Sequence, residues 1–210
     1  MTAAPGSAPV PVPVPAPGSA LEGGFAQPPL DAARAFRALL DALSRPGRIN
    51  RLPGATPPAP FPEAAGALAL ALCDGETPVW LAPELRAPDL RAWLTFHCNA
   101  ALTEDAAEAA FAFGAPAALA EALDAFSIGS PEYPDASATL VVLLPGFEGA
   151  PLTLAGPGID GAATLTLPEA VAALHAPNRA LFPQGRDLFL VAGDRVAGLP
   201  RTTRITRKEG

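Results

Sequence analysis

DLFLVAGDRVAGLPRTTRI (Asp187–Ile205) is the stretch that decides the fold class. Leu188–Ala192 and Arg195–Leu199 are two short apolar runs joined at Gly193-Asp194, a pair that suits the tight turn of a hairpin. Upstream, ATLVVLL (Ala138–Leu144) is apolar without interruption, as a central strand covered on both faces must be. Leu152–Ala155 and Thr164–Leu167 read as further strands of the same sheet. Pro78–Leu81 and Phe111–Phe113 are shorter ones, and Arg48–Leu52 alternates like a half-buried strand.

Between these runs the period changes. In DAARAFRALLDALSRPG (Asp31–Gly47), Asp31 can cap the first turn, and Phe36, Leu39, Leu40 and Leu43 recur on one helical face. Pro46 and Gly47 stop that helix. Pro62 opens AAGALALALCD, a segment with no polar face and therefore buried on most sides. Helices are also expected over Pro88–Phe96, Pro116–Phe126 and Pro168–Leu174. The sum is a three-layer α/β domain, helices on both faces of a mixed sheet, with no internal repeat.

The domain occupies residues 28–205, with a short tail over 206–210. Residues 1–27 differ in kind: PVPVPVPAPG (Pro9–Gly18) favours extended polyproline II and cannot build a packed core, so a disordered Pro/Ala-rich tail is expected. A secretory signal needs a basic start and a continuous apolar stretch, and no Lys or Arg precedes Arg34. No segment reaches the roughly 18 uninterrupted apolar residues of a spanning helix.

Composition narrows the function classes. A chain of 210 residues that is 50% hydrophobic can bury a sizeable core. Its 14 basic and 21 acidic residues leave a charge of −7, with the basic ones scattered, which argues against nucleic acid as a partner. Two cysteines, Cys73 and Cys98, stand at no metal-like spacing and are too few for a disulfide framework, which suggests a reducing, cytoplasmic setting.

Six segments in order carry a resemblance: the helix ending in SRPG, ALCDGETPVWL (Ala71–Leu81), LTFHCNA (Leu94–Ala100), LAGPGI (Leu154–Ile159), LFPQGRDL (Leu181–Leu188) and GLPRTTRI (Gly198–Ile205). Over roughly Phe25–Ile205 the chain resembles the PhnH family, subunits of the bacterial carbon–phosphorus lyase core complex. The resemblance implies a trimmed version of the fold of pyridoxal-phosphate-dependent transferases, used without the cofactor. It also implies partners, PhnG, PhnI and PhnJ, and a homodimer in isolation. With PhnL, that system exchanges the adenine of MgATP for a phosphonate, giving a ribose 1-phosphonate 5-triphosphate. MgATP is thus a substrate of the complex, and PhnJ later cleaves the carbon–phosphorus bond by radical iron–sulfur chemistry.

The residues themselves speak against pyridoxal phosphate. That cofactor is held as a Schiff base to a lysine within the folded site, and the chain's single lysine is Lys208, in the RKEG tail. The polar residues that could bind a ligand are Arg201, Thr202 and Thr203, where a guanidinium fork and two hydroxyls suit an oxyanion, together with His97 and Asn99. Each has a structural alternative: Arg201 can pair with a carboxylate, the threonines suit an edge strand, and His97 can close a helix. Cys98 beside His97 is no nucleophile pair, because neighbours i and i+1 point in different directions. Asp74 and Glu76 are too few to hold a metal. No catalytic set and no metal site follow. An assembly subunit is the leading expectation, a subunit with its own nucleotide or phosphonate pocket the second, and a stand-alone hydrolase the third.

Overall fold

A computed structural model describes residues 22–207. Most of the expected N-terminal tail and Lys208 lie outside the described residues. The part of 1–27 that is described, Glu22–Gln27, is fastened to the domain: Trp93 Nε1 donates to the Glu22 carbonyl at 2.9 Å and Thr56 N–H to the Gly23 carbonyl at 2.7 Å.

The expected hairpin is present. β8 (Leu188–Ala192) and β9 (Arg195–Leu199) pair antiparallel and turn at Gly193, whose φ is +58°. They belong to a mixed seven-stranded sheet of order β1-β9-β8-β5-β4-β2-β3. Its other members are β1 (Ile49–Arg51), β2 (Pro78–Leu81), β3 (Ala101–Thr103), β4 (Phe111–Gly114) and β5 (Thr139–Leu143). β3, β2, β4, β5 and β8 run parallel, β9 runs against them, and β1, antiparallel to β9, runs with them again at the edge. β5 lies at the centre, as its sequence requires, with Leu140, Val141 and Val142 fully buried.

One expectation is corrected: Leu152–Ala155 and Thr164–Leu167 do not join this sheet. β6 (Ala150–Ala155) and β7 (Ala163–Leu167) form a hairpin in a separate antiparallel sheet, completed by β10 (Arg204–Arg207) in the order β10-β6-β7. The physical reason is their alternation. Leu152, Leu154, Leu165 and Leu167 are buried while the residues between them are not, which fits a sheet with one wet face.

Helix α1 (Pro28–Ser44) starts earlier than Asp31, since Pro28 and Pro29 fill first-turn positions where no N–H is needed. Asp31 acts from inside the helix, accepting the Gln27 N–H at 2.8 Å. The buried face also differs from the expected one. Ala35, Leu39 and Ala42 face inward, whereas Phe36 and Leu40 are 51% and 57% exposed. The cause lies across the interface, at Gly198. A Cβ there would stand 2.5 Å from the Ala42 carbonyl oxygen and 2.8 Å from the Leu43 nitrogen. Backbone meets backbone where α1 lies on β9, and only small residues fit such an approach.

α2 (Glu63–Leu72), buried from Ala64 to Ala69, packs on α1 and β8 and touches α3 (Pro88–Cys98). α4 (Pro116–Glu121) packs on β4 and β5 and against α5 (Glu169–His175), which is followed by α6 (Asn178–Leu181). The step β2-α3-β3 runs one way along the sheet and β4-α4-β5 the other, so right-handed crossovers put α3 and α4 on opposite faces. The helix expected over Pro116–Phe126 ends at Glu121 and gives way to a 3-10 turn, Leu123–Ala125.

Gly198→Ala is expected to cost about 3 kcal/mol, because the methyl group meets backbone that cannot rotate aside. Gly193→Ala, with open space around it, is expected to cost only about 1 kcal/mol for its positive φ. Chemical denaturation of the two variants beside the parent chain measures the difference.

Candidate functional site

Arg201 follows β9 and is mostly buried. Its Nη2 lies 2.7 Å from Asp187 Oδ2 and 2.7 Å from Ser137 Oγ, its Nε 3.2 Å from Asp187 Oδ1, and its Nη1 donates to the Pro134 carbonyl. The Arg201 N–H also donates to Asp187 Oδ1 at 2.7 Å. All three guanidinium nitrogens are therefore engaged, and the fork joins the start of β8, the turn before β5 and the segment after β9. Thr203 is buried, its N–H bonded to the Pro200 carbonyl, while its Oγ1 has no partner among the described residues. Thr202 is half-buried.

His97 and Asn99 belong to a different place, sharing no partner with Arg201. Trp93 Nε1 and His97 Nε2 converge on the Glu22 carbonyl, His97 at 3.1 Å, and the His97 ring lies 4.9 Å from Trp93 and 5.0 Å from Phe96. The His97 ring forms one wall of a shallow depression of about 340 Å³ shared with Gly24, Phe25 and Leu70. Asn99 ends α3 in the left-handed conformation, φ +51°, a role asparagine takes readily. Its amide presses on Gly75, where a Cβ would come within 2.5 Å. Cys98 Sγ donates to the Leu94 carbonyl at 3.1 Å, and burial pushes its thiol up to about 11. Burial pushes Cys73 higher still. Neither is a ready thiolate at neutral pH.

The location of these groups matters as much as their contacts. His97 and Asn99 precede β3, Ser137 precedes β5, Asp187 precedes β8, and Arg201 follows Leu199, which pairs with Leu188. All lie at the amino ends of the parallel strands, whereas open α/β sheets bind ligands outside the carboxyl ends, where the strand order reverses. That reversal falls between β2 and β4, and the two strands are sealed there. A Cβ on Gly114 would sit 2.8 Å from Ala82 Cβ, and Glu84 Oε1 accepts the Ala115 N–H at the start of α4.

Other segments singled out by sequence make similar joints. Arg186 is buried and donates through Nε and Nη2 to the Phe126 carbonyl, while Asn178 exchanges two hydrogen bonds with the Arg186 backbone, at 2.8 and 2.9 Å. In AGPGI a Cβ on Gly158 would stand 2.0 Å from the Ser44 carbonyl, so that loop is pressed on the end of α1. Asp74 binds Thr77 Oγ1 at 2.7 Å and the Glu76 N–H at 2.9 Å, which hold its carboxyl below the usual range in an exposed turn. Among the described residues no group of three or more His, Cys, Asp or Glu could hold a metal ion. The sequence carries no signal for Arg186 against Phe126, because that partner is a backbone carbonyl in a distant element.

Fold and site define an α/β protein with a mixed sheet, in which the prominent polar residues join elements at the amino ends of its strands. The chain belongs to the family described as "Bacterial phosphonate metabolism protein (PhnH)", whose profile matches residues 23–206. It is 46% identical over 191 residues to a Rhizobium meliloti (strain 1021) protein named alpha-D-ribose 1-methylphosphonate 5-triphosphate synthase subunit PhnH, covering 89% of this chain and 96% of that protein. It is also 41% identical over 85 residues to HtxG of Stutzerimonas stutzeri, named as a C-P lyase subunit protein, covering 39% of this chain and 44% of that one.

Removing the Arg201 side chain leaves the Pro134 carbonyl and Ser137 Oγ without its donors and Asp187 with only the backbone N–H of residue 201, so Arg201→Ala is expected to lose roughly 2–3 kcal/mol of stability. Arg201→Lys, with a charge but no fork, is expected to fall between it and the parent. Thr202→Ala is expected to stay within about 0.5 kcal/mol. Denaturant midpoints for the three order them.

Proposed function

We propose that this chain is a subunit of the carbon–phosphorus lyase assembly of phosphonate catabolism. Within it, the chain serves with its partners in forming ribose 1-methylphosphonate 5-triphosphate from ATP and an alkylphosphonate. The observation that carries the proposal is the 46% identity to a named synthase subunit over nearly the full length of both chains. The role is one of assembly, with PhnG, PhnI and PhnJ as partners, a homodimer when isolated, and the cytoplasm as the setting.

The physical support is in where polar and apolar residues are placed. The polar residues Asn178, Arg186, Asp187 and Arg201 are used in joints inside the domain. Large apolar ones remain outside: Phe36 and Leu40 on α1, Ile49 on the edge strand β1, Phe96 on α3. Exposed apolar side chains on a helix beside an open sheet edge suit a subunit contact. No helix among the described residues is long and apolar enough to cross a membrane. The mixed sheet with helices on both faces suits the reading as a trimmed three-layer transferase fold. The absence of a lysine other than Lys208 suits use of that fold without pyridoxal phosphate.

Co-expression of the tagged chain with PhnG, PhnI and PhnJ, followed by capture and mass determination, is expected to give a stoichiometric complex. Phe36→Glu combined with Leu40→Glu should weaken capture at least tenfold while leaving the denaturant midpoint of the isolated chain unchanged. A chain captured alone would overturn the subunit reading.

A further inference from the structure

Thirteen arginines and one lysine face 21 acidic residues in this chain, and most of the described arginines are accounted for. Eight are ion-paired, Arg186 bonds a carbonyl, and Arg195 lies 5.3 Å over the Phe147 ring. Arg37, Arg179 and Arg204 have no such partner among the described residues. Arg37 stands by itself on α1. Arg179 of α6 and Arg204 of β10 instead line one depression of about 440 Å³, between the small sheet and the end of α5.

Its other walls point the same way. Thr206 adds a hydroxyl, Ala155 and Ile205 add apolar surface, and no carboxylate lines it. His175 is buried at its edge, with Nε2 donating to the Pro200 carbonyl at 2.8 Å, so Nδ1 carries a lone pair and the ring walls the depression without donating into it. The same carbonyl accepts the Thr203 N–H, and Thr203 carries the one buried side-chain oxygen without a partner among the described residues.

We propose that the depression formed by Arg179, Arg204, His175 and Thr206 is a binding site for a tetrahedral phosphorus oxyanion, a phosphate or phosphonate group bearing an organic substituent. Donors brought from two elements, the guanidinium forks of Arg179 and Arg204 and the Thr206 hydroxyl, suit a tetrahedral group with three oxygens better than a planar carboxylate with two. The volume exceeds what the anion alone fills, and Ala155 and Ile205 give the substituent an apolar seat. The site is separate from Arg201, whose donors are engaged, and it does not depend on the assembly reading. A chain that binds no oxyanion could still assemble, and one that assembles with nothing could still bind.

The test uses the full chain at low ionic strength, titrated separately with inorganic phosphate, methylphosphonate and phenyl phosphate by ³¹P NMR, and with benzoate by calorimetry. Saturable binding of the phosphorus compounds is expected, weakened about tenfold or more in Arg204→Ala and in Arg179→Ala and unchanged in Arg37→Ala. Tighter binding of phenyl phosphate than of phosphate would show that the substituent is held. Tighter methylphosphonate than phosphate would assign the phosphonate as the natural source, and the reverse order would assign a phosphate. All three arginines are exposed, so their loss should leave the fold intact, as circular dichroism checks. No saturable binding would overturn the proposal. So would equal loss in Arg37→Ala, or benzoate binding as tightly as phosphate.

Discussion

The close approach of α1 to β9 at Gly198 is the constraint on which the rest of this structure depends. Because a helix backbone touches a strand backbone there, the helix must present alanines and a single leucine to the sheet. Its larger side chains, Phe36 and Leu40, are turned outward as a direct consequence. The end of the helix is then held from the other side, where Gly158 of the small sheet's loop meets the Ser44 carbonyl. A Cβ on Gly47 would likewise stand 2.9 Å from Ala163 Cβ. One helix thus positions two sheets, and the tight fit inside produces the apolar surface outside.

The same logic links the segments that carry the family resemblance. They are separate in sequence but meet in pairs: SRPG with AGPGI, CDGETP with HCNA, and QGRD with GLPRTT. Each pair joins by a glycine that has no room for a side chain or by a buried polar bond. The Arg201 and Asp187 pair is of the second kind. Such joints sit at the amino ends of the parallel strands, while the carboxyl ends at the reversal point are closed by Ala82, Gly114 and Glu84. Arginine is well suited to this work because one planar fork can satisfy a carboxylate, a hydroxyl and a carbonyl together.

Much of the fold was legible in the sequence. The strands Pro78–Leu81, Leu188–Ala192 and Arg195–Leu199 are readable because buried runs end at turn residues, and α2 because nothing in it is polar. The inward face of α1 was not, since alanine and leucine positions share one period with Phe36 and Leu40, and only the opposing Gly198 chooses between them. Nor was the second sheet, because β10 finds β6 across a long stretch of chain and pairing partners leave no local trace. The structural alternative for Arg201 was visible in principle, as an acidic residue stands 14 positions earlier. The depression at Arg179 and Arg204 was not, for its residues come from α5, α6 and two strands of the small sheet.

If α1 on β9 is the joint that holds the domain, the two cannot open separately. Native-state hydrogen exchange across increasing denaturant measures this most directly. The account predicts that the amides of Leu39–Leu43 exchange only with global unfolding, together with those of β8 and β9. Release of α1 at a much lower free energy, with the seven-stranded sheet still protected, would contradict it.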